Sequence, residues 1–334
     1  VSTAAGTPPG GMDGSVGTGG EQRLAAVTGG TGFLGRAVVA ALVRNGWRVR
    51  LLARRDPGHP QLPTGGVEVV SGDLGADERL HRLVEGADAV VHAAGLIKAR
   101  SREEFMRTNR DGSSRIARAV ATTAPDARLV LVSSLAAREP QLSDYAASKR
   151  AGEEAATSAC GRASWVVLRP SAIYGPWDRE TFPIFRSARA WAMPLFHGPA
   201  SRLCLIHVED AAAAVVAMCA GGPSEAVFEL SDERREGYPW RVVLEEAARA
   251  VGGSGRILPV PASVVTLAGA LAGAVGPLVG RTPMLTSGKA REMLHADWSS
   301  SAAVQPPAGW WAPRIGLRDG FAATAKWYSD AAWM

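Results

Sequence analysis

Tyr145 and Lys149 stand four apart in the run Tyr-Ala-Ala-Ser-Lys. On a helix, residues at i and i+4 share one face. A phenol beside an ammonium is proton-transfer chemistry. A free tyrosine titrates near pH 10, too high for an efficient base at neutral pH, and a neighbouring positive charge favours the phenolate. Just upstream lies the pair Ser133-Ser134, whose hydroxyls can donate to an oxygen gaining negative charge. A third signal runs from Leu24 to Gly35, reading LAAVTGGTGFLG. Its glycines Gly29, Gly32 and Gly35 follow the spacing G-x-x-G-x-x-G. There the backbone of Gly29, Gly32, Phe33, Leu34 and Gly35 can come close to a pyrophosphate, and a helix N-terminus adds partial positive charge. Each signal alone has an ordinary alternative: a glycine turn, a serine cap, a half-buried helix tyrosine.

The elements around these residues decide between the readings. Leu24 to Val27 suits a buried parallel strand. After the glycines, Val38, Val39, Leu42 and Val43 mark one helix face, with Gly46 as its stop. Further strands are expected at 47–53, 67–70, 88–92, 129–132 and 165–168. Helices are expected at 77–85, 103–122, from Tyr145 through Glu154, and at 241–251. Strands alternating with helices predict an α/β fold, a Rossmann-type doubly wound parallel sheet. In such a sheet ligands bind beyond the C-terminal strand ends. Arg54, Asp73, Leu74, Ala93, Ala94, Gly95, Ser134 and Pro170 all fall at that edge.

The expected organisation is a disordered tail over 1–22, a dinucleotide-binding domain over 23–170, and a smaller C-terminal substrate lobe over 171–334. Some segments of that lobe return to the main domain. The tail lacks the basic flank and apolar core of a signal peptide. Residues 173–197 are rich in aromatics, suiting either an apolar substrate pocket or a lobe core. His197 and His207 are expected to be structural, and 203–208 and 226–230 to be strands of the same lobe. The tryptophans at 298, 310, 311 and 327 should pack the C-terminal part onto the body.

The chain has 334 residues, 46 % apolar and 21 % charged, with a net charge of +5. The excess is mild and no long basic run exists, so nucleic acid is not an expected partner. Cys160, Cys204 and Cys219 have neither CxxC nor framework spacing. They read as buried free thiols of a cytoplasmic protein, with no metal site. Val260 to Gly280 is apolar and uncharged, but rich in Gly and Ala and broken by Pro261 and Pro277. A packed helical segment is expected there, with peripheral membrane contact left open. A homodimer is also left open.

Taken together, TGGTGFLG at 28–35, GDL at 72–74, HAAG at 92–95, Asn109 with Gly112, VSS at 132–134, YAASK at 145–149, RPSAIYGP at 169–176 and IHVEDAA at 206–212 make the chain resemble a known family. This is the extended short-chain dehydrogenase/reductase family, also called the NAD-dependent epimerase/dehydratase family. The resemblance implies that Ser134 holds the substrate oxygen, Tyr145 is the acid/base, and Lys149 binds the nicotinamide ribose and assists Tyr145. It also implies a proton relay supported by Asn109, pyrophosphate at the glycines, and adenine at Asp73.

Three departures point away from a nucleotide sugar. The segment between Ser134 and Tyr145 is short and lacks Val-Tyr-Gly. Arg202 is one residue out of register. Arg54, not Asp, follows the second strand. A carboxylate there would hold the ribose diol of NAD, whereas a guanidinium suits the 2′-phosphate of NADP. The expected activity is therefore NADP-dependent interconversion of a carbonyl and an alcohol on a mostly apolar small molecule, with NAD as second choice. The alternatives are a nucleotide-sugar epimerase or dehydratase holding NAD, and a non-catalytic cofactor-binding subunit.

Overall fold

The computed structural model describes residues 22–196, 198–275 and 286–334, with the side chains of 273–275 left out. The expectations for the tail, apart from Gln22, for His197, and for the end of the apolar stretch lie outside the described residues.

In chain order the first half is β1 (Leu24–Thr28), α1 (Phe33–Arg44), β2 (Arg48–Ala53), β3 (Val67–Ser71), α2 (Asp77–Val84), β4 (Ala89–His92), α3 (Arg102–Phe105), a π-helical segment (Met106–Asp111), α4 (Gly112–Thr123), β5 (Arg128–Val132), α5 (Asp144–Ala159) and β6 (Trp165–Pro170). The second half is β7 (Ala172–Tyr174), α6 (Phe182–Ala188), β8 (Ala192–Leu195), β9 (Arg202–Leu203), β10 (Leu205–His207), α7 (Val208–Ala220), β11 (Ala226–Leu230), β12 (Tyr238–Pro239), α8 (Trp240–Ala250), β13 (Arg256–Pro259), α9 (Ala262–Val275), α10 (Ser287–Leu294), β14 (Asp297–Trp298) and α11 (Leu317–Asp330).

Seven strands form one parallel sheet in the order β11-β6-β5-β4-β1-β2-β3. The order reverses at β1, which pairs with both β2 and β4. That is the switch point at which a crevice opens beyond the strand ends. The central strands β1 and β4 are apolar and buried throughout because helices cover both faces. Along β4, Ala89 and Val91 join one core, while Val90 joins the other, as the two-residue period of a strand requires. A third core lies in the C-terminal lobe around Tyr174, Phe185, Phe321 and Tyr328, all fully buried.

Two elements differ from the sequence expectation. The helix expected over 103–122 is broken by the π segment, which contains Asn109. Its widened turn faces Gly152 of α5, where an added Cβ would lie 2.4 Å from the Asn109 carbonyl oxygen. Phe105 and Gly112, which flank the segment, keep right-handed helical dihedrals, and the change of turn comes with the tertiary contact on α5. The second difference is β11. It pairs with β6 as the edge of the main sheet rather than with the small lobe. The helix before it, α7, joins the core of α1 through Val215 and Met218.

Trp310 and Trp311 tie the C-terminal part to the main core, whereas Trp298 and Trp327 pack in the core of the lobe itself. Trp311 Nε1 donates to the Asp210 carbonyl at 3.1 Å, and the Asp210 carboxylate accepts from the N–H groups of Arg314 and Ile315. The three cysteines are free and buried.

Candidate active site

The cradle after β1 is built by exclusion of side chains. Gly29 has φ +75°, and a Cβ there would lie 2.4 Å from Ala93 C and Ala94 N. Only glycine lets the turn touch the strand end of β4. At Gly35 a Cβ would sit 2.0 Å from the Gly29 carbonyl oxygen. Gly32 differs, since its nearest neighbour would be that same oxygen at 3.3 Å. Its missing side chain leaves the approach to the helix clear. Gly32 is the N-cap of α1, and no acidic residue occupies the first turn. The N–H groups of Phe33, Leu34 and Gly35 open this helix, where a 12-residue stack of peptide dipoles favours an anion. The cradle therefore fits a pyrophosphate. Gly30, which the spacing passed over, is a packing glycine: a Cβ would lie 2.4 Å from Leu51 Cδ1.

Around this cradle the other edge residues take their places. Arg54 is exposed directly after β2. Asp73 Oδ1 accepts from Gly75 N–H at 2.8 Å and shapes the turn after β3. Leu74 packs on Gly112, where a Cβ would come within 2.7 Å of it. Gly95 faces both Asn109 and Lys149, with 3.1 Å and 3.7 Å to a built Cβ. Pro170 ends β6 opposite Leu230.

The proton-transfer group sits at the same edge. Ser134 follows β5 and caps a short 3-10 turn, its Oγ accepting from Ala136 N–H at 3.2 Å. Tyr145 opens α5, which is capped by Ser143. The Tyr145 hydroxyl lies toward Ser134. Ser143 is in turn bonded to Glu292 of α10. Lys149 Nζ donates to the Val132 carbonyl at 2.9 Å. Burial pushes the Tyr145 phenol up to about 12, with the Ser134 side chain opposing and the Glu292 charge adding. Burial lowers Lys149 to about 8, with Glu153 opposing. The expected lowering of Tyr145 by Lys149 is thus not what the geometry delivers. The ammonium is turned to a backbone carbonyl, and desolvation of the phenolate dominates. At neutral pH the phenol keeps its proton, which makes it a donor.

Asn109 is held at both ends of its side chain. Its Oδ1 accepts from Leu96 N–H at 2.7 Å, and its Nδ2 donates to Leu96 O at 3.0 Å and Ser148 Oγ at 2.9 Å. Both ends of the amide are committed to holding the loop after β4 against α5. Its carbonyl accepts from Ser113 Oγ at 2.6 Å. That single hydroxyl proton orders a chain behind the site. Ser113 Oγ then accepts from His92 Nε2 at 3.0 Å. Burial, with the Lys149 charge, lowers His92 to about 3, so the ring is neutral and its Nδ1 accepts from Thr28 Oγ1 at 2.7 Å. Ser113 and Glu292 lie in none of the motifs, and the parts played by His92 and Ser148, inside HAAG and YAASK, are visible only in their contacts.

The glycine beside this chain gives a test. Gly152→Ala should destabilise the fold by about 1–3 kcal/mol, because the methyl enters the Asn109 carbonyl and neither helix can yield freely. Urea unfolding measures it, and an unchanged midpoint would mean that the α5 contact is loose.

The aromatics of 173–196 mostly form the lobe core. Tyr174 and Phe185 are fully buried against Phe321, at 4.9 and 4.8 Å between rings, whereas Trp191 is 80 % exposed. His207 caps α7, its Nδ1 accepting from Glu209 N–H. Among the described residues, no group of three or more His, Cys, Asp or Glu could hold a metal ion.

This geometry is matched by a family model covering residues 25–230. The chain belongs to the NAD dependent epimerase/dehydratase family. It is 48 % identical over 312 residues to a ceramide reductase of Caulobacter vibrioides, spanning 93 % of this chain and 96 % of that protein. A 2-alkyl-3-oxoalkanoate reductase of Stenotrophomonas maltophilia is 27 % identical over 325 residues, 88 % of this chain and 96 % of that protein. The solved structure of MoeE5 with UDP-glucuronic acid and NAD superposes with a TM-score of 0.69 at 21 % identity, over 92 % of this chain and 99 % of that one. The chain is an NAD(P)-dependent oxidoreductase of this family with a Rossmann-type parallel sheet.

Proposed function

We propose that the protein is an NADPH-dependent reductase acting on a carbonyl of a long-chain lipid of the ceramide type. The observation that carries this reading is the 48 % identity to a ceramide reductase along nearly the whole of both chains. That likeness extends past residue 230, where the family model ends, into the lobe that faces the strand ends. Nucleotide-sugar enzymes share the fold at about half that identity.

The cofactor would supply the hydride. Phe33, Leu34 and Gly35 would bind its pyrophosphate through their N–H groups, and Arg54 its 2′-phosphate. Lys149 would hold the ribose. Ser134 and Tyr145 would both donate to the substrate oxygen. As the carbonyl became an alcohol, its oxygen would take the proton of Tyr145 Oη, the C=O π pair forming the new O–H bond. Burial suits Tyr145 to this direction, because it holds the phenol protonated before the step. Asn109 is a positioning residue in this scheme.

The test is purified protein, NADPH and a keto-ceramide in detergent micelles. Loss of reduced-cofactor absorbance with formation of the alcohol is expected. Retention of NAD through purification, with interconversion of UDP-sugars and no ketone reduction, would overturn the reading.

Cofactor choice is a separate expectation. One charge-assisted hydrogen bond contributes roughly 1.5–3 kcal/mol, so NADPH should bind at least about tenfold tighter than NADH. Arg54→Ala should remove most of that gap and leave NADH nearly unchanged. Titrations of both cofactors by fluorescence measure it, and equal wild-type affinities would make Arg54 only a solvated loop charge.

A further inference from the structure

The helix α9, ASVVTLAGALAGAV, carries no charged residue, yet most of it is exposed. Val265 is buried, and Gly269 presses on α10, where a Cβ would lie 3.0 Å from Ala290 Cβ. Outside that narrow stripe the apolar side chains face outward: Val264 is 53 % exposed, Leu267 61 % and Leu271 57 %. These positions, i, i+3 and i+7, share one face. Even Thr266 turns its hydroxyl back onto the Ala262 carbonyl at 3.0 Å. The strand pair leading into the helix adds exposed Trp191 and Leu258. An apolar face of this kind on a folded protein calls for a partner.

We infer that α9 docks this protein on an anionic lipid surface. The surrounding charge selects that occupant. Between Glu246 and Glu292 the sequence holds no carboxylate, while Arg256 is exposed on β13, the strand before the helix, and Lys289 and Arg291 are exposed on α10, which packs against it. Lipid phosphates can pair with these cations. A second copy meeting the same face about a two-fold axis would bring these cations together, and Glu292 is already bonded to Lys289 at 3.1 Å. The described part of the helix has 14 residues, about 21 Å, and its exposed apolar face suits contact along the membrane interface. No helix among the described residues is long and apolar enough to cross a membrane.

The position has a consequence for the reaction. From α9 the packing runs through α10 to the start of α5. Arg291 Nε donates to Leu142 O at 2.8 Å, and Glu292 bonds Ser143, the cap two residues before Tyr145. A docked α9 would hold the proton donor's end of the sheet toward the bilayer, where a long-chain substrate resides.

The test uses the full chain with vesicles of phosphatidylcholine alone or mixed with phosphatidylglycerol. The protein should sediment with the anionic vesicles and much less with the neutral ones, and high salt should weaken binding. Leu267→Asp with Leu271→Asp should weaken it at least about tenfold, since two side chains lose their apolar burial. Arg256→Gln should weaken it about fivefold. The exposed positions predict unchanged circular dichroism and unfolding midpoint for both variants.

Wild-type protein that stays in the supernatant with both vesicles would overturn the proposal. So would a double variant that binds as well as wild type. A wild-type dimer that the double variant splits, with no vesicle binding, would make the face a self-contact instead. Reduction of a short, water-soluble ketone separates this proposal from the reductase reading: loss of docking should leave that turnover unchanged.

Discussion

Tyr145→Phe should lower ketone turnover by about two to four orders of magnitude, the range for a lost general acid. The substitution keeps the ring against Phe105, 6.1 Å away between centroids, and deletes only the hydroxyl. Cofactor affinity should therefore change little, so the loss should appear in kcat. The wild-type pH profile should carry the signature of its neighbour. Lys149 is lowered to about 8 by burial, so its ammonium is present below that pH and lost above it. With cofactor limiting, kcat/KM should fall as pH rises through about 8. The Tyr145 proton, held up to about 12, should remain on the phenol over the same interval. A Phe variant of near-wild-type activity would remove Tyr145 from the mechanism. A flat profile between pH 7 and 9 would remove the Lys149 charge.

The second large effect is on stability. Glu153 of α5 and Arg169 of β6 form a bidentate pair at 2.9 and 2.6 Å, and both are nearly enclosed. Glu153→Leu would leave a desolvated guanidinium facing Glu229 alone, and should cost about 3–5 kcal/mol. The double variant Glu153→Leu with Arg169→Met should recover most of that loss, because replacing both charges removes the desolvation penalty along with the attraction. Equilibrium urea unfolding of the two single variants and the double gives the coupling. Additive losses would mean that the pair is solvated in the native state. The pair also joins the helix of Tyr145 and Lys149 to the strand that ends at Pro170, so the same variants should lose activity in step with folded fraction.

Much of the architecture is a local matter, and local patterns in the sequence specify it. Buried strands such as Leu24–Thr28 and helices such as Asp77–Val84 follow from runs of apolar residues at the strand or helix period, ended by Gly46 and Gly86 at positive φ. The Tyr145–Lys149 spacing and the Gly29–Gly35 turn lie within one element or one connection, so their juxtaposition needs no tertiary knowledge.

Other features exist only after distant segments meet. The π turn at Asn109 forms where Gly152 presses on its carbonyl. The edge strand β11 leaves the lobe because α7 buries its apolar face on α1. The direction of the Tyr145 shift is set by burial together with Glu292, which α10 brings from the far end of the chain. Desolvation acts through whatever surrounds a group, and those surroundings are not written in its sequence neighbours. For the same reason the apolar run of α9 alone could have been core; only its packing, one stripe on α10 and the rest outward, makes it a surface.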